Sequence, residues 1–276
     1  MRPPRVLLVC LCVVLAGCGG AVSPTSDDTR TVNPALGETP TTSPTPERWD
    51  GPPGVTDSDV SVTTLAAAHQ NALANRSVTV RRSTVVVYDN GTLAHDPTVT
   101  TWSDRDQQYV EIRATTWPFR LLRNQSVNRS YWRNDSVTVV RQQLTNGSAE
   151  TSVQSESLPR SIAVDPSGRD LLVSALVRFD LEYAGGTVVE GDSLHVLRAA
   201  DDATSNPNIE NVSIRVLATD AGVVRAATVQ YHNDRYGPDR EPATVTVRFG
   251  LSNVSNTTVP RPAWVADTLA NATGES

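Results

Sequence analysis

Hydrophobic positions recur with a helical period where the folded part of the chain is expected to begin. Leu65, Ala68 and Leu73 fall near a 3.6-residue spacing within an alanine-rich stretch. Alanine and leucine favour helices, and this spacing places them on one face. The pattern predicts a first helix that has Asp57 as its candidate cap and ends at Asn75 or Arg76.

Two further helices are predicted from the same kind of pattern. Leucine and alanine side chains form one apolar face over residues 167–179, which predicts a second helix there. A short third helix is expected after Pro262, because proline suits the first turn of a helix.

Most of the remaining chain alternates between apolar and polar positions, which is the period of a strand with one buried face. Asn90-Gly91 has the composition of a tight hairpin turn. Strands are predicted over 77–88, 92–103, 107–116, 125–133, 137–144, 187–190, 193–198, 212–216, 223–231 and 243–249. Many alternating strands with few helices predict an α+β fold. We expect a large, curved antiparallel sheet (a half-barrel) with one solvated face, wrapped around one or two helices.

The first residues have the pattern of a lipoprotein signal peptide. Two arginines precede an apolar run of about eleven residues, which is shorter than the ~20 that span a bilayer. The run ends in Leu15, Ala16, Gly17 and Cys18, which resemble a lipobox. Small residues before Cys18 would admit a signal peptidase, and the thiol would carry the lipid. The alternative is an ordinary signal peptide with Cys18 at this position by chance.

The domain organisation follows from this reading. We predict a signal peptide over 1–17, then the lipidated Cys18 and a disordered tether to residue 53, and a single α+β domain over 54–276. The tether is rich in proline, threonine and serine and cannot bury enough apolar surface to fold. The remaining cysteines, Cys10 and Cys12, lie in the removed signal. The predicted location is the extracellular face of the cytoplasmic membrane, with the membrane as partner through the lipid.

The chain is acidic, and its basic residues are all of one type. All 24 basic residues are arginine, there is no lysine, and 30 acidic residues bring the net charge to −6. Removal of a signal that contains two arginines would take the net charge to −8. A nucleic-acid-binding protein needs a basic stripe, so we exclude nucleic acid as a partner.

No motif in the sequence points to catalysis. The histidines His69, His95, His195 and His232 have no metal-binding spacing, and we interpret them as surface or strand polar residues. The sequence contains no nucleophile elbow, phosphate-binding loop or dinucleotide fingerprint. We therefore predict no enzyme activity, no catalytic residue, no cofactor and no metal site.

Glycosylation sequons are more frequent than chance would give. Ten of the fifteen asparagines begin Asn-X-Ser/Thr, and we expect a few of them to be occupied. The ten candidates are Asn75, Asn90, Asn124, Asn128, Asn134, Asn146, Asn211, Asn253, Asn256 and Asn271.

Three segments, together with the lipobox and the tether, resemble a family of lipoproteins from halophilic archaea. They are ALANRS at 72–77, VRR at 80–82 and NTTVPRPAWV at 256–265. The resemblance covers essentially the whole chain and implies a lipid anchor and an exterior location, without naming a ligand. The order of helix and strands also resembles the lipoprotein-localisation carriers of the LolA, LppX and LprG type. In those proteins a half-barrel encloses a cavity for acyl chains.

Two functions stay open at this stage. The first is a surface lipoprotein that binds a lipid or other apolar ligand between sheet and helices. The second is a structural or interaction module of the envelope with a filled core, whose partner is an envelope protein. For the first, the candidate pocket residues are Leu65, Ala68, Leu73, Val86, Ile112, Ile214, Val247 and Phe249.

Overall fold

In a computed structural model, the chain is an α+β protein built on one antiparallel sheet. The structure describes residues 51–114, 128–144, 146–154, 165–237 and 240–274. The predicted signal peptide and nearly all of the predicted tether lie outside these ranges. Contacts within the chain group Arg48–Ser276 into one compact unit.

Twelve strands and three helices follow one another in the described ranges. They are α1 (Val62–Leu73), β1 (Val78–Tyr88), β2 (Leu93–His95), β3 (Thr98–Ser103), β4 (Gln107–Arg113), β5 (Asn128–Asn134), β6 (Thr138–Gln143), β7 (Ala149–Gln154), α2 (Arg169–Leu176), β8 (Leu181–Val189), β9 (Asp192–Ala199), β10 (Ile209–Ala218), β11 (Val224–Tyr236), β12 (Glu241–Ser252) and α3 (Ala263–Gly274).

The strands form a single sheet in the order β7-β6-β5-β4-β3-β1-β12-β11-β10-β9-β8, with β2 paired to β1 outside this path. The sheet is open, because β7 and β8 each have one paired neighbour in this order. Neighbouring strands run antiparallel, and the sheet curves around helices. The predicted fold class is therefore confirmed.

The first helix begins later than the sequence pattern predicted. Its cap is Ser61, whose Oγ accepts the N–H of Thr64 at 3.4 Å, and not Asp57. Val55 and Val60 pair in an isolated bridge, which keeps the preceding residues in a turn. A Ser side chain can satisfy a backbone N–H that has no partner inside the helix, and this defines the helix start.

The second helix, α2, is shorter than the predicted 167–179. The carboxylate of Asp165 accepts the N–H of Arg169 at 2.6 Å and the hydroxyl of Ser167 at 2.7 Å. This carboxylate favours the first turn because the helix N-terminus carries partial positive charge. The third helix, predicted after Pro262, is present as α3.

The strand predictions were wrong where alternation was absent or interrupted. The predicted strand 92–103 is split into β2 and β3 by Pro97, which has no N–H to donate. β7 was missed, because four of its six residues are exposed and show no alternation. Residues 115–116 and 125–127 of the predicted strands lie outside the described ranges.

The two faces of the sheet carry different helices. α1 and α2 pack on what we call the inner face, against β1 and the strands from β8 to β12. α3 packs on the opposite, outer face, where Val265 contacts a cluster that contains Tyr109, Trp132 and Val139. The expectation of one solvated face was therefore wrong for β4 to β6, which bury apolar side chains on both faces.

Candidate functional site

Six of the eight predicted pocket residues lie together in the core between the helices and the inner face. They are Leu65, Leu73, Val86, Ile214, Val247 and Phe249, each at most 7% exposed. They contact one another and other buried side chains as a filled core does. They do not line the cavity of about 440 Å³ that is described below. Whether they line a ligand site stays a prediction.

The other two predicted pocket residues lie elsewhere. Ala68 faces the turn that joins β10 and β11, where a Cβ built on Gly222 would come within 2.8 Å of the Ala68 Cβ. Ile112 packs against a separate apolar cluster farther along the sheet.

This separate cluster is an apolar strip on the inner face, formed by Val110, Tyr131 and Val140. The three residues are directly opposite one another on β4, β5 and β6. Val110 is also opposite Thr101, which is opposite Val80 of the helix-packed core, so the strip shares the inner face. Ile112 and Val99 pack against it. The cluster contains no residue of a described helix.

A polar row runs beside the apolar strip on the same face. It consists of Ser103, Gln108, Arg133, Thr138 and Gln154, which are directly opposite one another across the five strands from β3 to β7. All five line a cavity of about 440 Å³ that is completed by the β3–β4 and β5–β6 turns and by Pro166. This volume lies in the range of small-molecule sites, roughly 300–1,000 Å³.

Two arginines of the inner face are partly removed from water. Burial lowers the pKa of Arg133, and among the described residues its guanidinium has no ion-pair partner. Burial also lowers the pKa of Arg82, which is opposite Val99 and Phe249, at the border between the filled core and the apolar strip. The Arg82 Nε is buried without a hydrogen bond in the part of the chain described.

The histidines were interpreted as surface or strand polar residues, and His69 shows that this was wrong for one of them. His69 is fully buried on α1. His195 lies 2.7 Å from Asp220, and His232 lies between Asp89 and Asp234. Within the described ranges, no group of His, Cys, Asp and Glu side chains is arranged to hold a metal ion.

Eight of the ten sequon asparagines are exposed in the described part of the chain, and two of these, Asn134 and Asn211, lie in strands. Asn128 is half-buried, and its Nδ2 donates to Gln143 Oε1 at 3.0 Å. Asn124 lies outside the described residues. The exposed ones are Asn75, Asn90, Asn134, Asn146, Asn211, Asn253, Asn256 and Asn271. Their occupancy stays a prediction.

The lipobox residues Leu15, Ala16, Gly17 and Cys18 also lie outside the described part of the chain. In the part that is described, no helix has both the length and the apolar character needed to cross a membrane.

Comparison with known proteins gives distant structural likenesses. No protein-family model matches this sequence, and no curated protein sequence is similar to it. LprF from Mycobacterium bovis is 12% identical, with 75% of this chain and 100% of that chain covered and a TM-score of 0.38. A DUF1329 family protein from Desulfovibrio piger is 11% identical over 76% of this chain and 98% of that chain, with a TM-score of 0.26.

A third structure is described as an outer membrane lipoprotein-sorting protein domain from Vibrio parahaemolyticus. It is 7% identical over 77% of this chain and 99% of that chain, with a TM-score of 0.26. Likenesses at these TM-scores do not establish what this chain binds.

Proposed function

We propose that this chain is a membrane-anchored surface lipoprotein whose domain binds an apolar or amphiphilic ligand on the inner face of its sheet. The proposal places the ligand on the half of that face that α1 and α2 do not pack. The cavity of about 440 Å³ on that half carries the proposal, because its volume lies in the range of small-molecule sites. The apolar strip lies beside the polar row that lines this cavity, and its three residues are each at most 4% exposed.

The anchor is supported by the sequence. The Leu15-Ala16-Gly17-Cys18 segment follows an apolar run of signal-peptide length, and a lipid on Cys18 would hold the domain at the extracellular face of the membrane. The domain has a binding role in this proposal and no catalytic one, because the sequence lacks nucleophile, phosphate-binding and metal-binding motifs.

The test is binding of a fluorescent isoprenoid alcohol to the compact unit Arg48–Ser276, together with native mass spectrometry of the unit purified from its own host. We expect saturable binding and a co-purifying lipid. Gln154→Trp should weaken binding at least tenfold, because Gln154 is half-buried and lines the cavity, which the larger ring would occupy. Val188→Trp is the matched control, since Val188 is 68% exposed on β8. Absence of both saturable binding and co-purifying lipid would exclude the ligand role.

A structural module of the envelope is the second candidate function. The observation that favours it is the filled core of the helix-packed half, where Leu65, Val86 and Leu172 are each at most 1% exposed. A domain of this kind would bind no isoprenoid and would retain an envelope protein after crosslinking in intact cells.

A further inference from the structure

Two arginines and a tyrosine from three different parts of the chain come together at the border of the helix-packed core. Arg82 lies on β1, Tyr231 lies on β11, and Arg178 follows the end of α2. Arg82 is directly opposite Phe249, whose side chain belongs to the core of the inner face. The ring of Phe179, the residue after Arg178, lies 5.4 Å from the ring of Tyr231. The end of α2 therefore brings Arg178 to the part of the inner face where Tyr231 lies.

The positive charges of Arg82 and Arg178 are not balanced by an acidic side chain in the part of the chain that the structure describes. Burial lowers the pKa of Arg82, and the other groups that act on it are Tyr231 and Arg178, neither of which is a carboxylate. Burial also raises the pKa of Tyr231, and the two arginines only partly oppose this rise. The phenol is therefore neutral at pH 7 and leaves both guanidinium charges unmatched.

The three side chains also have hydrogen-bond donors that are not used within the protein. The Nε of Arg82 is buried without a hydrogen bond, although the side chain as a whole is only half-buried. Tyr231 is 7% exposed, and among the described residues its hydroxyl makes no hydrogen bond. Arg178 is exposed, and its Nη2 donates to the carbonyl of Ser174 over a long 3.4 Å. The exposure of Arg178 keeps this cluster open to a ligand from the solvent.

An anion with several oxygens would supply what this cluster lacks. Buried donors are normally hydrogen-bonded, because a donor without an acceptor loses its water without compensation. Guanidinium groups bind phosphate and carboxylate oxygens through paired N–H donors. Donors that come from three elements suit a phosphate, whose oxygens point in several directions, better than a carboxylate, whose two oxygens lie in one plane. Two positive charges also match the charge of about −1.5 to −2 that a phosphate monoester carries at pH 7.

We infer that Arg82, Arg178 and Tyr231 form a binding site for a phosphate group at the end of α2. The two guanidinium groups bind the phosphate oxygens, and the Tyr231 hydroxyl donates a further hydrogen bond. The phosphate is either free or part of an organic ester, because both present the same oxygens. None of the three residues lines the cavity of about 440 Å³, so this site and the proposed function can each fail without the other.

The test is calorimetric titration of inorganic phosphate into Arg48–Ser276 at constant ionic strength, with KCl as the balancing salt. Glycerol phosphate is a second titrant that carries the group as an ester, and acetate is a third that carries a carboxylate. Phosphate should bind saturably and at least tenfold more tightly than acetate. Tighter binding of glycerol phosphate would assign the site to an ester, and equal or weaker binding would assign it to free phosphate. Acetate binding as tight as that of phosphate, or no saturable binding of either phosphate, would overturn the inference.

Single substitutions locate the site. Arg82→Gln keeps a polar side chain and removes the charge, so it should weaken phosphate binding roughly ten- to hundredfold, the worth of a hydrogen bond to a charged group. Arg248→Gln is the matched control, because Arg248 is exposed and precedes Phe249 on β12, which places it on the opposite face. Tyr231→Phe removes only the hydroxyl and should weaken binding roughly two- to tenfold. Arg178→Gln, at an exposed position, covers the case in which Arg82→Gln fails to fold.

The melting temperature separates a binding role of Arg82 from a structural one. Phosphate should raise the melting temperature of the wild type, because a ligand that binds the folded state stabilises it. Arg82→Gln should abolish this rise without lowering the melting temperature in the absence of phosphate, since the Arg82 charge has no partner to lose among the described residues. Equal weakening of phosphate binding in Arg82→Gln and Arg248→Gln would indicate general charge attraction and would overturn the site.

Discussion

The Nδ1 atom of His69 accepts a hydrogen bond from the backbone N–H of Val224, over a distance of 3.0 Å. The second ring nitrogen, Nε2, lies 2.8 Å from the carbonyl oxygen of Ser167 and therefore donates to it. A ring that accepts at one nitrogen and donates at the other is neutral. Burial lowers the pKa of His69, which agrees with this state. One imidazole thus joins α1, the loop before α2 and the start of β11.

The domain should lose stability in mild acid because of His69. Its pKa is lowered in the folded chain, so the unfolded chain takes up the proton more readily. The stabilisation is therefore complete above about pH 6.5 and is lost as the pH falls below it. Denaturant unfolding at fixed salt should show this decrease between pH 7 and pH 5.

The variant His69→Leu should flatten this pH dependence. It should also destabilise the fold by roughly 2–5 kcal/mol, because the N–H of Val224 and the carbonyl of Ser167 lose their partner. His232→Gln is the control, since His232 is only half-buried between Asp89 and Asp234. A pH dependence that persists in His69→Leu would show that another group is responsible.

Gly222 should tolerate no side chain. Its φ is +79°, and an added Cβ would lie 2.8 Å from the Cβ of Ala68 and 3.2 Å from the Cδ of Pro53. Gly91 has a φ of +82° with open space around it. Gly91→Ala therefore measures the destabilisation that comes from the backbone conformation alone. We expect Gly91→Ala to cost about 1 kcal/mol, the penalty of a left-handed conformation.

Gly222→Ala should cost at least about 2 kcal/mol more than Gly91→Ala, because overpacking adds to the backbone penalty. Thermal unfolding of the two variants side by side measures the difference. Equal losses would mean that α1 moves away from the turn without penalty.

The burial of His69 could have been predicted from the sequence. Leu65, His69 and Leu73 are spaced four residues apart, which places the histidine on the buried face of the predicted helix. The interpretation of His69 as a surface or strand polar residue was wrong because it followed from the polar character of histidine and not from the place of His69 on the apolar face of the helix. Its partners, Ser167 and Val224, could not be foreseen, since they come from segments about 100 and 155 residues away.

The polar row was beyond prediction for a different reason. Alternation showed which residues of a strand share a face, but it does not show which residue of the next strand is opposite. Register follows from turn lengths and from strand ends. Gln154 belongs to β7, which has no alternating pattern, and the pairing of Gln108 with Arg133 joins strands whose connection lies largely outside the described residues.

The third helix should be required for stability of the outer face. Val265 is fully buried there in a cluster with Trp132 and Tyr109. Val265→Ala should destabilise the domain by about 1–3 kcal/mol through lost burial and a residual cavity. Val177→Ala makes the same change at a position that is 55% exposed and should cost less than about 0.5 kcal/mol. Equal values from chemical unfolding would show that α3 does not stabilise the domain.

Salt should raise the melting temperature. The full chain has a net charge of −6 without any lysine, and removal of the signal would make it more negative. Like charges repel across a Debye length that grows to about 30 Å at 0.01 M salt. The melting temperature of Arg48–Ser276 should therefore increase as KCl rises from 0.01 M into the molar range. A melting temperature independent of KCl would contradict an adaptation to high salt.

Membrane attachment should depend on one cysteine of three. The Cys18 thiol stands where a lipobox places the lipidated residue, so Cys18→Ser should leave the precursor uncleaved or release the domain into the medium. Cys12→Ser makes the same change inside the apolar run that the signal peptidase would remove, and it should leave processing and attachment as they are. The measurement is immunoblotting of membrane and medium fractions from the native host. The lipid itself contributes attachment at about 0.8 kcal/mol per buried CH₂, which a serine cannot replace. Recovery of a processed, membrane-bound Cys18→Ser chain would show that the anchor lies elsewhere in the molecule.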